Sequence, residues 1–425
     1  MSFDSVWEKQ KLHDLCLKIG SGSTPTGGKE SYKQSGISLI RSQNIYNHFF
    51  AYEGLAFIDE NQAKKLDNVT IQEDDVLLNI TGDSVCRCCI VPKEVLPARV
   101  NQHVSIIRVD RTKIHPFFVK SILTTNAMQG YMLSLAQAGG TRHALTKGMI
   151  QDFDIPVPEL NEQKKIVDIL SSLDDKIELN NSINKNFEEM AQALFKRWFV
   201  DFEFPNENGE PYKSSGGEFE ESELGLIPKG WRIGKSTEIF DVQSGGTPRT
   251  KVTEYWNGNI PFFTPKDACN SFFVIKTEKN VTDLGLSNCN SKLYKVGTVF
   301  ITARGTVGKL AMAGKKMAMN QSCYALIAKP DFTQEFVYLK VNDLIKALKK
   351  NASGAVFDAI TVSTFQNLKT TVPTSDIVSK FNTIISAVYS NILKNVEEIE
   401  SLINIRDTLL PKLMSGEIRV PLDQA

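Results

Sequence analysis

The sequence predicts an α+β protein built as two similar globular domains, each followed by a long helix. Three observations carry this. Ser21-Gly22-Ser23-Thr24-Pro25 recurs as Ser244-Gly245-Gly246-Thr247-Pro248. The offset of 223 holds through Tyr32/Tyr255 and Ile37/Ile260. Each copy closes on a Val-Pro pair, Val157-Pro158 and Val372-Pro373, and then enters a long amphipathic stretch. Such a period far exceeds the roughly 20–50 residues of a solenoid repeat, so it marks a duplicated domain. A chain of 425 residues has room for about two to three domains.

The first domain, residues 1–157, contains short β-prone runs at 37–40, 76–80, 104–109 and 153–157. Turn clusters at 20–28 and at Gly82-Asp83-Ser84 separate them. Segments 116–125 and 127–136 suit helices. A long helix is expected over 158–200, with Pro156 and Pro158 punctuating its start. Ile166, Ile169/Leu170, Leu173, Ile177, Asn180, Phe187, Met190/Ala191, Leu194 and Trp198 form its stripe, mostly three or four residues apart. Such a helix of about 40 residues would be roughly 60 Å long.

Residues 201–223 hold eight acids and one base, Lys213, and the Gly-, Pro- and Ser-containing stretch 201–229 has the composition of a linker. The second domain spans 230–373. In it 299–302 answers 77–80 at an offset of 222, Asn320-Gln321 answers Asn101-Gln102 at 219, and Phe336-Val337 answers Phe118-Val119 at 218. Gly354 answers Gly140 at 214. The shrinking offset implies small loop deletions. A second helix over 374–416 carries Phe381, Ile384/Ile385, Val388, Ile392, Asn395, Ile399, Leu402, Ile405 and Leu409, with Pro411 and Gly416 ending it. Residues 417–425 are a tail. Two equal stripes on one chain are expected to bury against each other; the alternative is that each helix packs on its own domain.

Net charge is zero, which by itself argues neither for nor against nucleic acid. Setting the acidic stretch aside leaves the remainder mildly basic, which is compatible with phosphate contacts. No apolar run approaches the roughly 18 residues of a membrane span. The first residues lack a basic-then-apolar signal. Seven cysteines without framework spacing suit a reducing cytoplasm.

Motifs for catalysis are missing. The glycine-rich 20–25 stretch has Pro25 where a dinucleotide fingerprint needs its third glycine. Gly305-Thr306-Val307-Gly308-Lys309-Leu310 fails as a nucleotide loop, because Leu310 stands where Ser or Thr would hold magnesium. Cys86-Arg87-Cys88-Cys89 is too tight for a zinc site. His13, His48, His103, His115 and His143 all lie in the first half, without repeat partners. No cofactor is implied.

What recurs instead is polar, amide-rich and basic. Arg41-Ser42-Gln43-Asn44 aligns with Thr264-Pro265-Lys266-Asp267. Thr81-Gly82-Asp83-Ser84-Val85 with Arg87 aligns with Ala303-Arg304-Gly305-Thr306-Val307 with Lys309. Asn101-Gln102-His103 aligns with Asn320-Gln321-Ser322. Thr141-Arg142-His143 aligns with Ala355-Val356-Phe357, just after Ser353. Arg and Lys suit phosphates and guanine edges, and Asn and Gln suit adenine. The competing reading makes the shared Asn-Gln pairs and Gly-Thr turns purely structural. Residues that match between halves are then scaffold or phosphate contacts. Those that differ, such as Arg41/Thr264, Gln43/Lys266 and Arg142/Val356, are candidates for reading sequence.

The doubled Ser-Gly-x-Thr-Pro, with Tyr255-Trp256, Ile260-Pro261 and Ile227-Pro228-Lys229-Gly230-Trp231, resembles the specificity (S) subunits of type I restriction–modification systems. So do Glu162-Gln163-Lys164-Lys165-Ile166-Val167 opening the first helix and Leu409-Leu410-Pro411-Lys412-Leu413-Met414-Ser415-Gly416-Glu417-Ile418 ending the second. The second helix departs from the pattern by opening on Asp376-Ile377-Val378. The resemblance implies two target recognition domains, each reading half of a split site on double-stranded DNA. It also implies helices forming an antiparallel coiled coil that sets the gap and docks two methyltransferase (M) subunits, with two motor-nuclease (R) subunits joining for restriction. The candidate DNA-binding residues, taken from the recurring polar segments, are Arg41, Gln43, Asn44, Arg87, Gln102, Thr141, Arg142, His143, Lys266, Arg304, Thr306, Lys309, Gln321 and Ser353. Catalysis, including adenine methylation, would belong to the partners, which accounts for the missing motifs. A self-contained nuclease or methyltransferase and a protein-only coiled-coil adaptor are the rival readings.

Overall fold

The computed structural model describes residues 5–138, 143–268, 272–351 and 359–421. The chain divides into two compact units, one of residues 1–177 and 401–425, the other of 178–400. The division falls within both long helices, Leu160–Phe199 and Ser375–Ser415, so each unit holds half of each.

In unit 1 a four-stranded antiparallel sheet runs in the order Cys16–Ser21, Val104–Val109, Val76–Asn79, Cys88–Ile90. A three-stranded sheet centres on Ile37–Ile40, antiparallel to Ala56–Ile58 and parallel to Ala98–Val100. The strand Lys9–Lys11 pairs with Asp154–Pro156. Val76, Leu77 and Leu78 are all fully buried because the larger sheet is covered on both faces. Val76 and Leu78 face a core closed by the helices Pro116–Leu123 and Asn126–Ala138. Leu77 faces the core of the smaller sheet.

Unit 2 repeats this plan. Its larger sheet runs Phe240–Ser244, Cys323–Ala328, Val299–Thr302, Leu310–Ala313, with Phe273–Val274 added in parallel at one edge. Trp256–Phe263 lies between Asn280–Val281 and Ala318–Met319, and Arg232–Lys235 pairs with Lys369–Val372. The pairing corrects the alignment of the halves. Val76 lies opposite Ile107, and Val299 lies opposite Leu326. Residues 299–302 therefore answer 76–79 at 223, not 77–80 at 222. A one-residue slip would exchange the two faces of the strand. Val299 and Ile301 do face the helix-side core, and Phe300 the other, as Val76, Leu78 and Leu77 do.

The helix stripes are shared between two tasks. Ile166, Val167 and Leu170 of the first helix join Leu410, Leu413 and Met414 of the second in the core of unit 1. Ala191, Phe195, Trp198 and Phe199 join Ile377, Val378, Phe381, Ile385, Tyr389 and Ile392 in unit 2. Of the paired stripe positions, Ile169, Met190 and Ile384 face outward. The helices run antiparallel within each unit. In unit 1 Arg419, beyond the second helix, grips Glu162, and Arg406 grips Asp174 at 3.0 Å. In unit 2 the Asn180 amide donates to Glu398 at 2.8 Å, and that of Asn395 to Asn184 at 2.9 Å. Buried amides in an apolar seam favour one register. The second helix continues through Pro411 and stops at Ser415, because a proline in the last turn removes only one backbone hydrogen bond.

The acidic stretch expected as a linker holds a hairpin of Phe219–Ser222 with Gly225–Pro228. Phe204 stacks on Tyr212 at 4.5 Å and on Trp231 at 5.3 Å, while Phe202 and Phe219 meet the same group edge-on. Aromatic burial folds it despite its charge.

Lys120, Asp174, Arg406 and His48 form a half-buried to buried cluster in unit 1. Asp174 lies 2.7 Å from Lys120 and 3.9 Å from His48. Burial pushes the Asp174 carboxyl up, but the charges of Lys120 and Arg406 outweigh it and hold it below the usual range. Burial, helped by Lys120 and Arg406, pushes the His48 imidazole down to about 3. Asp174→Asn would strip Lys120 of its counter-charge and leave Arg406 only its pair with Asp407, and is expected to cost about 3–5 kcal/mol in urea unfolding. Lys11→Ala, which breaks an exposed pair with Asp154, is expected to leave the midpoint nearly unmoved.

His48 stays neutral in the folded chain, whereas unfolded histidine takes up a proton below about pH 6.5. Stability from this group is thus full above about pH 6.5 and falls toward pH 3, by up to about 1.4 kcal/mol per unit. His48→Asn, tolerable at its φ of 73°, is expected to reduce the loss of melting temperature between pH 7 and pH 5. An identical loss in both proteins would assign the acid sensitivity elsewhere.

Candidate nucleic-acid interface

Four loops meet at one end of the larger sheet in unit 1, and backbone hydrogen bonds tie them together. Asn101 N–H donates to Ile40 O, Ile80 N–H to His103 O, Ser23 N–H to Val100 O and Asn79 N–H to Arg87 O. Unit 2 repeats each bond. Asn320 N–H donates to Phe263 O, Ala303 N–H to Ser322 O, Gly246 N–H to Met319 O and Thr302 N–H to Lys309 O. The frame is common to both units, and the side chains it presents differ.

The shared residues hold the frame. A Cβ added to Gly22 would lie 2.2 Å from Val100 O and 2.3 Å from Asn101 O. One added to Gly245 would lie 2.2 Å from Asn320 O and 2.6 Å from Met319 O. The Ser-Gly-x-Thr-Pro loop thus crosses the Asn-Gln turn at a separation only glycine permits. The turns themselves are closed by their asparagines: His103 N–H donates to Asn101 Oδ1 and Ser322 N–H to Asn320 Oδ1.

Asn44 belongs to this scaffold, a correction to its expected DNA role. It is fully buried, its Oδ1 accepts from Arg41 N–H at 3.1 Å, and its amide donates to Ala51 O. Asp267 does the same for Thr264 N–H at 2.8 Å. The other described candidates are at least partly accessible. Arg41 donates to Gly54 O at 2.6 Å and lies over the Tyr32 ring; exposed Gln43 donates to the same carbonyl at 3.1 Å. Arg87 lies 4.5 Å over Tyr46, which stacks on the exposed Phe49. Gln102 is exposed beside His103, and His143 is exposed with its carbonyl facing Gly82 N–H. In unit 2 Lys266 lies 3.4 Å from Glu278, Gln321 accepts from the Thr247 hydroxyl, and Arg304, Thr306 and Lys309 are exposed. Thr141, Arg142 and Ser353, like Gly140, Gly354 and Val356, lie outside the described residues.

The corrected register sets Arg304 where Thr81 stands, not Gly82; Gly305 answers Gly82, and both have positive φ. Thr81 is engaged with His103 at 2.6 Å, whereas Arg304 has no side-chain partner among the described residues. Two features have little signature in the sequence. The stack of Phe49, Tyr46 and Arg87 is foreshadowed only by an aromatic-rich turn. Lys349, on the helix Gln334–Asn351, reaches the Gly308 turn from a segment that reads as a solvated helix face.

Burial pushes the Cys86 and Cys89 thiols up to about 12, and Cys88 well above its ordinary value, so this trio is inert packing at physiological pH. Among the described residues, no group of three or more His, Cys, Asp or Glu could hold a metal, and no helix is long and apolar enough to cross a membrane.

The family described as the type I restriction modification DNA specificity domain matches this chain twice, over residues 4–189 and 228–404. The type I restriction enzyme HindI specificity subunit of Haemophilus influenzae is 25% identical, covering 97% of this chain and 100% of that protein. The MjaIX specificity subunit of Methanocaldococcus jannaschii is 26% identical, covering 97% of this chain and 94% of its own. The crystal structure of a type I restriction–modification S subunit from M. genitalium superposes with a TM-score of 0.58 at 16% identity, over 97% of each chain, and so shares the fold.

Gly22→Ala and Gly245→Ala are each expected to destabilise their own unit by about 1–3 kcal/mol through overpacking against carbonyl oxygens. Gly20→Ala, with nothing within 4 Å of the added carbon, is the control that changes little in a thermal melt.

Proposed function

The chain belongs to the type I restriction–modification DNA specificity family, and from that premise we propose how its parts divide the work of recognition. The protein is the non-catalytic, DNA-recognising subunit of such a system and works with methyltransferase and restriction subunits. Each unit reads one half of a split double-stranded target. The observation that carries this is the loop frame, which repeats bond for bond while the exposed side chains on it differ. A frame common to both halves offers the same backbone to each half-site, and base discrimination falls to the unlike residues.

Arg41, Gln43, Arg87, Gln102 and His143 are the contacts of the first unit, and Lys266, Arg304, Thr306, Lys309 and Gln321 those of the second. Thr141, Arg142 and Ser353 are retained on the sequence alone. The paired helices set the gap between half-sites and dock two M subunits, two R subunits joining for restriction. The partners carry adenine methylation, ATP hydrolysis and cleavage, and supply part of the phosphate neutralisation that a chain of zero net charge lacks. The assembly works in the cytoplasm.

Seven residues inserted after Ile177 and after Glu400 add one heptad to both helices. The methylated sequence in a host carrying the altered S and its M subunit is expected to keep both halves and gain a longer gap. Altered half-sites, or an unchanged gap, would overturn the assignment of spacing to the helices.

A further inference from the structure

The loop after Val299–Thr302 carries more open chemistry than its counterpart in unit 1. Its base is closed by Gly308 N–H donating to Thr302 O at 2.8 Å and Lys309 N–H donating to Thr302 Oγ1 at 3.0 Å. Between these, the backbone N–H groups of Arg304, Gly305, Thr306 and Val307 have no acceptor among the described residues. Arg304 and Lys309 are exposed on the same turn. A third cation comes from a distant element. A Cβ built on Gly308 would lie 3.5 Å from Lys349 Nζ, 3.4 Å from its Cε and 3.1 Å from Ile345 Cγ2. Gly308 has φ +79°, so it suits the turn both by conformation and by leaving room for Lys349. Among the described residues, none of the three cations is paired with an acid. Lys346, on the same helix, is by contrast engaged with Gln192 at 3.1 Å.

The equivalent turn in unit 1 is more fully engaged, with Gly82 N–H donating to His143 O at 3.4 Å. Val85 N–H donates to Gly82 O at 3.0 Å and Arg87 N–H to Ser84 O at 3.2 Å. Cys86 stands in place of Gly308, its carbonyl accepts from the Gln129 amide at 2.9 Å, and the Arg87 guanidinium lies on Tyr46. Open N–H groups in a turn, with cations around them, are the chemistry that binds a phosphate oxygen. Leu310 gives no hydroxyl for magnesium, so a nucleotide triphosphate fits poorly. A phosphodiester needs no metal.

We infer that the 304–309 turn and Lys349 form a clamp for one DNA backbone phosphate, present in unit 2 and lacking in unit 1. This rests on the DNA-reading role proposed above. Lys349 is a positioning contact that holds the turn on the backbone and carries no base information.

The test uses the complete complex of this chain with its M subunits and a duplex carrying its methylated sequence, titrated at several salt concentrations. Lys349→Ala is expected to lower the slope of log affinity against log salt by about 0.9 and to weaken binding roughly three- to tenfold near 0.1 M salt. Lys349→Arg, which keeps the charge, is expected to restore the slope, and the methylated sequence is expected to stay the same in both variants. An unchanged slope in Lys349→Ala, or altered bases in one half-site, would overturn the inference. An unsubstituted complex showing no preference for a split sequence would instead overturn the underlying reading.

Discussion

Neither globular unit closes its core without a piece of each long helix. The larger sheet of each unit is apolar on both faces, and one face would stay wet without the helix halves that cover it with the shorter helices. Each fully buried Leu, Ile, Phe or Met is worth roughly 1.5–3 kcal/mol, so the helix halves contribute heavily to the stability of either unit. The rest follows from that need. Each helix gives one half to each core, and within each unit the two halves run antiparallel. The middle of the pair, relieved of that duty, tolerates the amides of Asn180, Asn184 and Asn395, which hold register instead of supplying hydrophobic energy.

The same joint between sheet domain and helix pair is built from opposite chemistry in the two units. Unit 1 uses His48, Lys120 and Asp174 with Arg406. At the repeat offsets that align Phe118 with Phe336 and Val157 with Val372, Lys120 answers Tyr338 and Asp174 answers Tyr389. Tyr338 and Tyr389 pack on Phe272, with centroids 4.2 Å and 4.6 Å apart. Gln163, whose side chain accepts from His115 N–H at 2.7 Å, answers the fully buried Val378. A buried ionic cluster is often no more stabilising than an apolar one of similar volume, and losing one member leaves an uncompensated charge in the first but a cavity in the second.

Much of this was legible in the sequence. The β-branched runs became strands, and the stripes became helices of 40 and 41 residues. The register of the central strand was not legible, because Val76-Leu77-Leu78 is buried on both faces and offers no alternation to align. The stretch from 201 to 229 misled through its charge, when the informative residues were Phe202, Phe204, Tyr212 and Phe219. Asn44 shows why the site was harder than the fold: an amide suits both adenine and a turn, and composition does not separate the two. Its counterpart was the available clue, since Asp267 could take over the turn but not an adenine contact of the same kind.

The boundaries of the compact units fall at 177/178 and 400/401, inside the helices. Unit 2 is therefore one uninterrupted stretch of chain, and unit 1 is the two flanks that surround it. In heredity this makes residues 178–400 a cassette. Two genetic crossovers at those helix midpoints would exchange a whole core, its own helix halves included. Crossovers at the sheet-domain borders would instead pair an aromatic joint from one parent with an ionic joint from another. A gene exchanged inside the helices would therefore carry one core across intact.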